Sequence, residues 1–302
     1  MQNNFKPFFL FFGKIPIKKH KYKMLNDLEL FISNALSEDI GLGDVTSLAT
    51  INKEQKGEAI CYVKEDCIIA GIELAKMICT QVDPLLTFSF KVQDGEFVSK
   101  NNPIGSISGS VQSILKLERL LLNCMQRMSA IATKTNYFSK LIAPYNVKIL
   151  DTRKTTPNFR ICEKWAVKIG GGVNHRFGLY DQVLIKDNHI KAAGNIINAV
   201  ESCEKYLNNN QLQIPVVVEV KDLEEFNSIK NYEIVDRILV DNFKPIDIIE
   251  LIKHNSTHKT IEASGGINAS NIIEYAKTGI DYVSLGDLTH HVNSIDISLK
   301  II

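Results

Sequence analysis

The hydrophobic residues that open the regular part of the chain recur every three or four positions, which predicts an amphipathic helix from Met24 onward. Two glycines in the next segment, "SEDIGLGDVTS", end that helix. Residues 57–110 alternate apolar and polar positions between turn residues, a pattern typical of β-structure. Residues 113–142 form a long apolar stretch rich in helix formers, compatible with one helix or with two.

After Pro144 the pattern changes to short β-branched runs that alternate with helical stretches. The helical stretches cover residues 191–207, 222–230, 245–254 and 268–277, and Asn195 and Asn268 are candidate N-caps. Repeated strand–helix alternation predicts right-handed crossovers and a parallel sheet, either open and doubly wound or closed as a barrel. The six predicted strands are Val147–Leu150, Gln182–Ile185, Pro215–Val218, Arg237–Val240, Thr260–Ala263 and Asp281–Leu285.

Every one of these six runs changes from apolar to charged, polar or glycine residues at its carboxyl end. Ligands of α/β barrels and open α/β sheets bind at that edge. We therefore expect the functional groups to be the residues that end the strands. They are Asp151–Lys154, Lys186–His189, Glu219, Asp241–Asn242, Ser264–Gly266 and Gly286–Asp287.

Composition narrows the possible partners. The 302 residues are 45% hydrophobic, enough for two domains, and 35 basic residues nearly balance 34 acidic ones. A net charge of +1 gives no general attraction to nucleic acid or to an anionic membrane. No run approaches the roughly 20 apolar residues of a membrane-spanning helix. Six cysteines without metal or redox spacing indicate reduced thiols in a cytoplasmic protein.

Positive charge is nevertheless concentrated locally: residues 152–191 contain eight Lys and Arg against three acids. We interpret half of these cations as exposed helix charges, namely Arg160, Lys164, Lys168 and Lys191. The other half are predicted to bind a ligand with several anionic groups, namely Arg153, Lys154, Arg176 and Lys186. His175 precedes Arg176, and this basic pair is suited to a carboxylate.

Acids and glycines complete the candidate site. Glu219 and Asp241 each follow three β-branched or aliphatic residues, so they are predicted to hold Mg²⁺, to bind ribose hydroxyls or to stabilise a developing positive charge. The alternative is a buried acid that pairs with a neighbouring lysine. Ser264-Gly265-Gly266 and Gly286 end neighbouring strands, where backbone N–H groups and a helix N-terminus can approach a phosphate.

Taken together, these motifs resemble the quinolinate phosphoribosyltransferase family, from about Leu25 to the carboxyl terminus. The matching stretches include "ALSEDIGLGDVTS", "ERLLLN", "DTRKTTP", "GGGVNHRFGLYDQVLIKDNHI", "VEV", "LVDN", "EASGGI" and "SLGDLTH". The resemblance implies an N-terminal α/β sandwich-like domain and a C-terminal open α/β barrel of the TIM type. The family barrel has seven strands, one more than the pattern predicts here. Asn158 stands where the family often has glycine.

The resemblance also implies a domain division and an assembly. Residues 1–23 are expected to be a disordered extension, with Met24 an alternative start. Residues 24–143 form the sandwich domain with its helical linker, 144–290 the catalytic barrel, and 291–302 a segment that returns to the first domain. The expected assembly is a homodimer or a hexamer in which the partner donates Arg119, with no nucleic acid or membrane partner.

The implied reaction joins quinolinate to 5-phosphoribosyl 1-pyrophosphate, with Mg²⁺, in NAD biosynthesis. The products are nicotinate mononucleotide, pyrophosphate and CO₂. By resemblance, Arg119, Arg153, His175 and Arg176 bind the quinolinate carboxylates.

By the same resemblance, two lysines and two acids surround the reacting centre: Lys154, Lys186, Glu219 and Asp241, the two acids lying near ribose and Mg²⁺. The 5′-phosphate loops correspond to Ser264, Gly265, Gly266 and Gly286. Adjoining residues are also expected to contact substrate, namely Thr152, Leu285 and Asp287. Two alternatives stay open: a related transferase acting on nicotinate or another anionic acceptor, and a non-catalytic protein that binds an anion.

Overall fold

The chain forms two compact units. A computed structural model describes residues 17–302, and the side chains of residues 25–302. The barrel unit consists of Phe138–Arg153 and Val173–Leu285, and the N-terminal unit consists of Lys23–Tyr137, Lys154–Gly172 and Gly286–Ile302. The division lies six residues before the expected boundary at 144, and it assigns residues 154–172 of the expected barrel domain to the N-terminal unit.

Helices provide much of the N-terminal unit: α1 (Ile17–Ile40), α2 (Val45–Thr50), α3 (Ile72–Val82), α4 (Val111–Ile142) and α5 (Arg160–Ile169). Helix α1 begins at Ile17, and residues 1–16 of the expected extension lie outside the described part. The apolar stretch at 113–142 is one helix, α4, whose last residues contribute to the barrel unit.

The strands of this unit are β1 (Lys56–Val63), β2 (Cys67–Ile68), β3 (Thr87–Phe90), β4 (Phe97–Val98), β5 (Pro103–Ser110) and, from the carboxyl end, β12 (Ile297–Ile301). An antiparallel sheet has the order β12-β1-β5-β3, and β2 pairs with β4. Cys61 of β1 faces Leu299 of β12 and Gly105 of β5 in the register. The carboxyl-terminal segment therefore completes the N-terminal sheet.

The barrel unit has six parallel strands: β6 (Lys148–Leu150), β7 (Val183–Ile185), β8 (Val216–Val220), β9 (Arg237–Asp241), β10 (Thr260–Ser264) and β11 (Tyr282–Ser284). Their order is β6-β11-β10-β9-β8-β7, so consecutive strands from β7 to β11 are neighbours and β11 returns to β6. This is the order of an open α/β barrel. Val173 adds one isolated parallel bridge to Leu150 of β6.

The remaining helices are α6 (Asp187–Ala193), α7 (Ile196–Asn209), α8 (Leu223–Ile229), α9 (Pro245–Lys253) and α10 (Ile272–Ala276) in the barrel unit, α11 (Asp287–His290) in the N-terminal unit, and a 3₁₀ turn at Ala143–Tyr145. The predicted helix at 191–207 is divided, because Gly194 has φ +94° and the Asn195 side chain caps α7 by accepting from the Asn198 N–H at 2.8 Å. Asn271, not the predicted Asn268, occupies the N-cap of α10.

The environments of Lys164 and Asn158 bear on two expectations from the sequence. Lys164 is buried with 2% of its surface exposed, so its assignment to an exposed helix face is wrong; α5 buries Cys162 and Glu163 as well. Asn158 has φ +62°, in the left-handed region that glycine and asparagine adopt most readily, which accounts for asparagine at a position where the family often has glycine.

The state of the cysteines and the hydropathy of the helices match what the composition predicts. All six cysteines are free and five are buried, and burial raises the pKa of Cys61 to about 12. Among the helices of the described chain, none has both the length and the hydropathy that crossing a bilayer requires.

Candidate active site

Parallel strands bring the predicted residues of the barrel unit to one edge of the sheet. Thr152 and Arg153 follow β6, Lys186 follows β7, Asp241 ends β9 and Ser264 ends β10. Side chains of a strand alternate between the two faces of the sheet, so the position of each group along its strand determines the face on which it lies. The carboxyl-edge prediction therefore places these groups together within the barrel unit.

Lys186 and Glu219 form an ion pair across β7 and β8, with 3.0 Å between Lys186 Nζ and Glu219 Oε2. The pairing follows from the register, in which Ile185 lies opposite Val218. Glu219 is 13% exposed, whereas Lys186 is 45% exposed, so the ammonium group reaches outward while the carboxylate lies deeper. At Glu219 the structure therefore has the predicted alternative, in which the acid pairs with a neighbouring lysine.

The ends of β9 and β10 approach each other closely. Asp241 lies opposite Ser264, and the Asn242 N–H donates to the Ser264 carbonyl at 2.8 Å. Asn242 has φ +59°, and its amide donates to Asp241 Oδ2 at 2.7 Å. Gly265 has φ +94°, and a Cβ there would lie 2.3 Å from Asn242 Oδ1, so only glycine fits.

The glycine turn after β10 differs in one respect from expectation. Helix α10 begins at Ile272, six residues beyond Gly266, and it has only five residues. The helix N-terminus therefore does not follow the glycines directly. Gly266 has φ +62°, and nothing lies within 4 Å of a Cβ built there, so this position is open. Any phosphate at this turn would meet backbone N–H groups of the turn itself.

Asp151 organises the segment that contains the predicted anion binders. Its side chain is fully buried, and its carboxylate accepts from Asn174 Nδ2 at 2.5 Å and from the His175 N–H at 2.8 Å. Val173 pairs with Leu150 beside it. The acid that ends β6 thus fixes the backbone that carries His175 and Arg176.

Two arginines of this unit influence each other. Arg176 is half-buried, and burial followed by the charge of Arg153 lowers the pKa of Arg176, while Asp181 raises it. The Arg176 guanidinium stays protonated at neutral pH all the same, because the ordinary pKa of arginine is above 12. Two like charges held near each other favour a ligand with more than one negative group.

Glu262 is a residue of the site that the sequence analysis did not single out. It is completely buried in β10 and accepts from Arg237 Nη1 at 2.9 Å and from the Ser284 hydroxyl, and it faces His175 Nε2 at 3.5 Å. Burial raises its pKa, but His175, Arg237 and Ser284 together lower it to about 2. A glutamate between isoleucine and alanine in "TIEAS" is the signal that marks it.

The N-terminal unit holds the other predicted residues. Lys154 is exposed, and its carbonyl accepts from Thr289 Oγ1 at 2.7 Å. A Cβ at Gly286 would lie 3.1 Å from Lys154 Cδ and 2.9 Å from His290 Nε2, so these three residues are neighbours. Burial, His291 and Lys154 lower the pKa of His290, which the sequence analysis did not identify.

Asp287 is engaged with basic groups in the same unit. Lys134 Nζ lies 2.6 Å from Asp287 Oδ2, and His291 Nδ1 lies 3.7 Å from Oδ1. Asp287, His290 and His291 could offer three ligand atoms within 4.8 Å of one another, but the ammonium group of Lys134 already neutralises the carboxylate. This cluster is therefore poorly suited to a cation.

Two further predicted residues are placed differently. Arg119 is exposed on α4. Leu285 is buried with 2% of its surface exposed, and its N–H donates to the Leu150 carbonyl at 2.9 Å. Its side chain therefore lies in the core, and its N–H is bonded to β6.

Family models cover both units of the chain. Residues 44–129 match the model described as the N-terminal domain of quinolinate phosphoribosyl transferase, and residues 131–300 match the model of its C-terminal domain. The chain belongs to the quinolinate phosphoribosyltransferase family. The resemblance carried by its motifs is thereby confirmed, as is the two-part fold with an α/β barrel.

Relatives in this family match over nearly the whole chain. The chain is 44% identical over 293 residues to a chloroplastic nicotinate-nucleotide pyrophosphorylase (carboxylating) of Arabidopsis thaliana, covering 91% of this chain and 83% of that protein. A probable enzyme of the same name from Bacillus subtilis is 38% identical, covering 92% and 95%. The structure of the nicotinate-nucleotide pyrophosphorylase from Francisella tularensis superposes with a TM-score of 0.85 at 36% identity, covering 96% and 98%.

Proposed function

We propose that this chain catalyses the reaction for which its family is named. The phosphoribosyl group of 5-phosphoribosyl 1-pyrophosphate passes to the ring nitrogen of quinolinate, and loss of CO₂ gives nicotinate mononucleotide in the synthesis of NAD. The family assignment over residues 44–129 and 131–300 supports this activity, together with relatives named as carboxylating pyrophosphorylases or decarboxylating phosphoribosyltransferases.

The single observation that carries the proposal for the acceptor is that two cations, Arg153 and Arg176, lie near each other. The charge of Arg153 acts on a half-buried Arg176, and Asp151 fixes the backbone beside Arg176 through the His175 N–H at 2.8 Å, so the two guanidinium groups can bind one ligand together. Quinolinate carries two carboxylates, and each can accept two parallel hydrogen bonds from one arginine. Nicotinate carries one carboxylate, so it can accept such paired hydrogen bonds from only one arginine at a time.

The ion pair of Lys186 with Glu219 supports a role at the reacting carbon. The bond from ribose C1 to pyrophosphate breaks while the bond from C1 to the quinolinate nitrogen forms, so positive charge develops on the ribose. The carboxylates of Glu219 and Asp241 stabilise that charge, and Lys186 neutralises the departing pyrophosphate. Such catalysis depends on positioning and electrostatics and needs no covalent nucleophile.

Decarboxylation follows once the ring nitrogen carries a positive charge. The carbon–carbon bond to the 2-carboxylate breaks, its electron pair remains on the ring carbon beside the positive nitrogen, and that carbon then takes up a proton. No residue has to act as a base in this step. Thr152 and the arginines hold the ring, and the backbone of Ser264, Gly265 and Gly266 binds the 5′-phosphate.

Glu219 and Asp241 fit Mg²⁺ by the chemistry of their donors. Both offer hard carboxylate oxygens on neighbouring strands. Because Lys186 already neutralises Glu219 at 3.0 Å, Mg²⁺ would be held mainly by Asp241, water and substrate phosphates. When bound, Mg²⁺ would supply charge neutralisation for the pyrophosphate. Activity that survives chelation of all divalent cations would refute the requirement.

Lys154→Ala tests the proposed machinery. We expect turnover to fall by orders of magnitude because Lys154 lies beside Gly286 and supplies a cation to the phosphate-bearing side. Nicotinate mononucleotide and CO₂ are measured from quinolinate, with nicotinate as the parallel acceptor. Lys148→Ala, an exposed lysine at the opposite end of β6, is the matched control with unchanged turnover.

The outcomes of this assay separate the candidate functions. Near-normal activity of Lys154→Ala would refute the role of Lys154. Product from nicotinate but not from quinolinate would replace the acceptor, and binding of quinolinate without release of pyrophosphate would show a non-catalytic protein.

We also propose a homodimer in which Arg119 of one subunit completes the acceptor site of the other. Its exposure on α4 and its match to the family's donated arginine support this arrangement. Mixing Arg119→Ala with Lys154→Ala subunits tests it: hybrids of a two-fold dimer regain one intact site each, about a quarter of all sites. Two inactive variants that stay inactive after subunit exchange would refute the donation, and sedimentation distinguishes a dimer from a hexamer.

A cytoplasmic location is proposed from the free, buried cysteines. The Arabidopsis relative is named as chloroplastic, so fractionation of the source cells is the direct test. Recovery of the protein in an organelle fraction would contradict the proposal.

A further inference from the structure

Glu262 lies in a chain of polar contacts that crosses the barrel unit. Arg237 begins β9, Glu262 is in the middle of β10, and Ser284 ends β11, so three neighbouring strands of this sheet each contribute one group. The Arg237 guanidinium also lies over the Tyr282 ring, 4.4 Å from its centroid. Arg237 is thereby held on two sides, and it fixes one oxygen of Glu262 at 2.9 Å.

The other carboxylate oxygen of Glu262 points toward the acceptor site. Oε1 accepts from the Ser284 hydroxyl and faces Nε2 of His175 at 3.5 Å. The His175 side chain is 7% exposed and the Glu262 side chain is completely buried, so little water competes for this contact. An ionised carboxylate at such depth costs free energy unless its partners are fixed, and all three partners belong to the barrel unit.

The hydrogen bond at Nδ1 of His175 determines whether Nε2 carries the ring proton. The Arg176 N–H donates to His175 Nδ1 at 2.7 Å, so Nδ1 is an acceptor and has no proton. The proton of the neutral ring must then be on Nε2, which faces Glu262. A carboxylate accepts and does not donate, so an ionised Glu262 favours the same tautomer.

We propose that Glu262 is a positioning residue for the acceptor site, fixing the Nε2–H tautomer of His175 so that Nδ1 holds the backbone of Arg176. The inference rests on the proposed function, because Arg176 is a proposed quinolinate ligand. His175 was expected to bind a quinolinate carboxylate directly. In this proposal its Nε2 faces Glu262 and its Nδ1 accepts from the Arg176 N–H. Asp151 fixes the same segment from the backbone side, through the His175 N–H at 2.8 Å.

Glu262→Gln tests this role with little change of shape. An amide offers one oxygen and one NH₂ group, so it cannot accept from Arg237 on one side and from both Ser284 and His175 on the other. We expect KM for quinolinate to rise at least tenfold and KM for 5-phosphoribosyl 1-pyrophosphate to change less than twofold. Equal rises in both constants would overturn the proposal.

The tautomer of His175 is measured separately by ¹⁵N NMR of the ligand-free protein, with His175→Gln used to assign the resonance. We expect Nδ1 to be unprotonated in the wild type and the ring to populate both tautomers in Glu262→Gln. A wild-type ring with its proton on Nδ1 would overturn the proposal even if the protein is fully active. Absence of quinolinate turnover with the expected tautomer would instead refute the proposed function alone.

Two further variants separate positioning from general stability. Asp281→Asn weakens the bond from the Ile261 N–H, 2.8 Å long, next to Glu262 but at the amino end of β10. It should leave both KM values unchanged; a quinolinate effect as large as that of Glu262→Gln would show that loosening of β10 is sufficient. If Glu262→Gln does not fold, Ser284→Ala removes one donor from Oε1, and an unchanged His175 resonance there would refute the contact.

Discussion

Removal of the Glu163 carboxylate should destabilise the N-terminal unit by breaking a buried network. Glu163 in α5 is completely buried, and its Oε1 accepts from Arg127 Nη2 at 3.0 Å, Arg127 Nε at 3.1 Å and Thr156 Oγ1 at 2.9 Å. Oε2 accepts from the Thr156 N–H at 3.2 Å. Arg127 also donates to the carbonyls of Val292, at 3.0 Å, and Thr289. The network ties α4 and α5 to the segment that follows Lys154.

The expected cost of Glu163→Ala follows from what remains. Breaking one partner of a buried ion pair costs about 3–5 kcal/mol because it leaves an uncompensated charge. Arg127 is 23% exposed and keeps two carbonyl acceptors, which favours the lower end, about 3 kcal/mol. Glu163→Gln keeps the shape and an acceptor, so it should cost less, about 1–2 kcal/mol.

Urea unfolding followed by tryptophan fluorescence measures this difference, because the single tryptophan, Trp165, lies in α5. Glu54→Ala, an exposed glutamate of the same unit, is the control with an unchanged midpoint. A loss below about 1 kcal/mol for Glu163→Ala would show that the charge of Arg127 does not need Glu163. Equal losses for Ala and Gln would refute the contribution of the retained acceptor, because both variants remove the same charge.

Two more predictions concern the barrel unit. Gly265→Ala should weaken 5-phosphoribosyl 1-pyrophosphate binding strongly, because its Cβ would lie 2.3 Å from the amide oxygen of the asparagine after β9; Gly266→Ala, where space is open, should carry only the backbone strain of about 1 kcal/mol. Isothermal titration compares the two, and equal affinities would contradict the steric argument. The lowered pKa of Glu262, about 2 against 4.5, contributes about 3 kcal/mol of stability that is complete above pH 4.5 and lost as the pH falls toward 2. The Arg237 guanidinium and the Nε2 side of His175 face it, so unfolding at pH 3 to 7 should show this loss in the wild type and not in Glu262→Gln.

The pattern of β-branched runs was sufficient to predict the strands of the barrel unit. All six fall within two residues of the predicted bounds, because each strand is a short apolar segment whose neighbours in sequence are turn residues or helix caps. The residues at their carboxyl ends follow from the same pattern. Helix ends were predicted less well: α7 begins at a cap after Gly194, and α10 begins four residues beyond Asn268.

One residue in each unit shows where local pattern is insufficient. Lys164 has the charge of a surface residue, yet α5 buries it. Val173 joins β6 through a single bridge, which no periodicity marks. The bridge joins residues 23 positions apart, so a window of neighbouring residues does not contain the information.

The sequence by itself determined the family, the order of the strands along the chain and the set of residues at their carboxyl ends, because these depend on local hydrophobic pattern and on contiguous motifs. Only the tertiary structure decided which of those residues meet. Glu262 acquires its meaning from His175, Arg237 and Ser284, which are between 22 and 87 positions away in the chain. A carboxylate in an apolar strand shows that a partner must exist, since unpaired burial of charge is costly, but the register of the sheet supplies its identity.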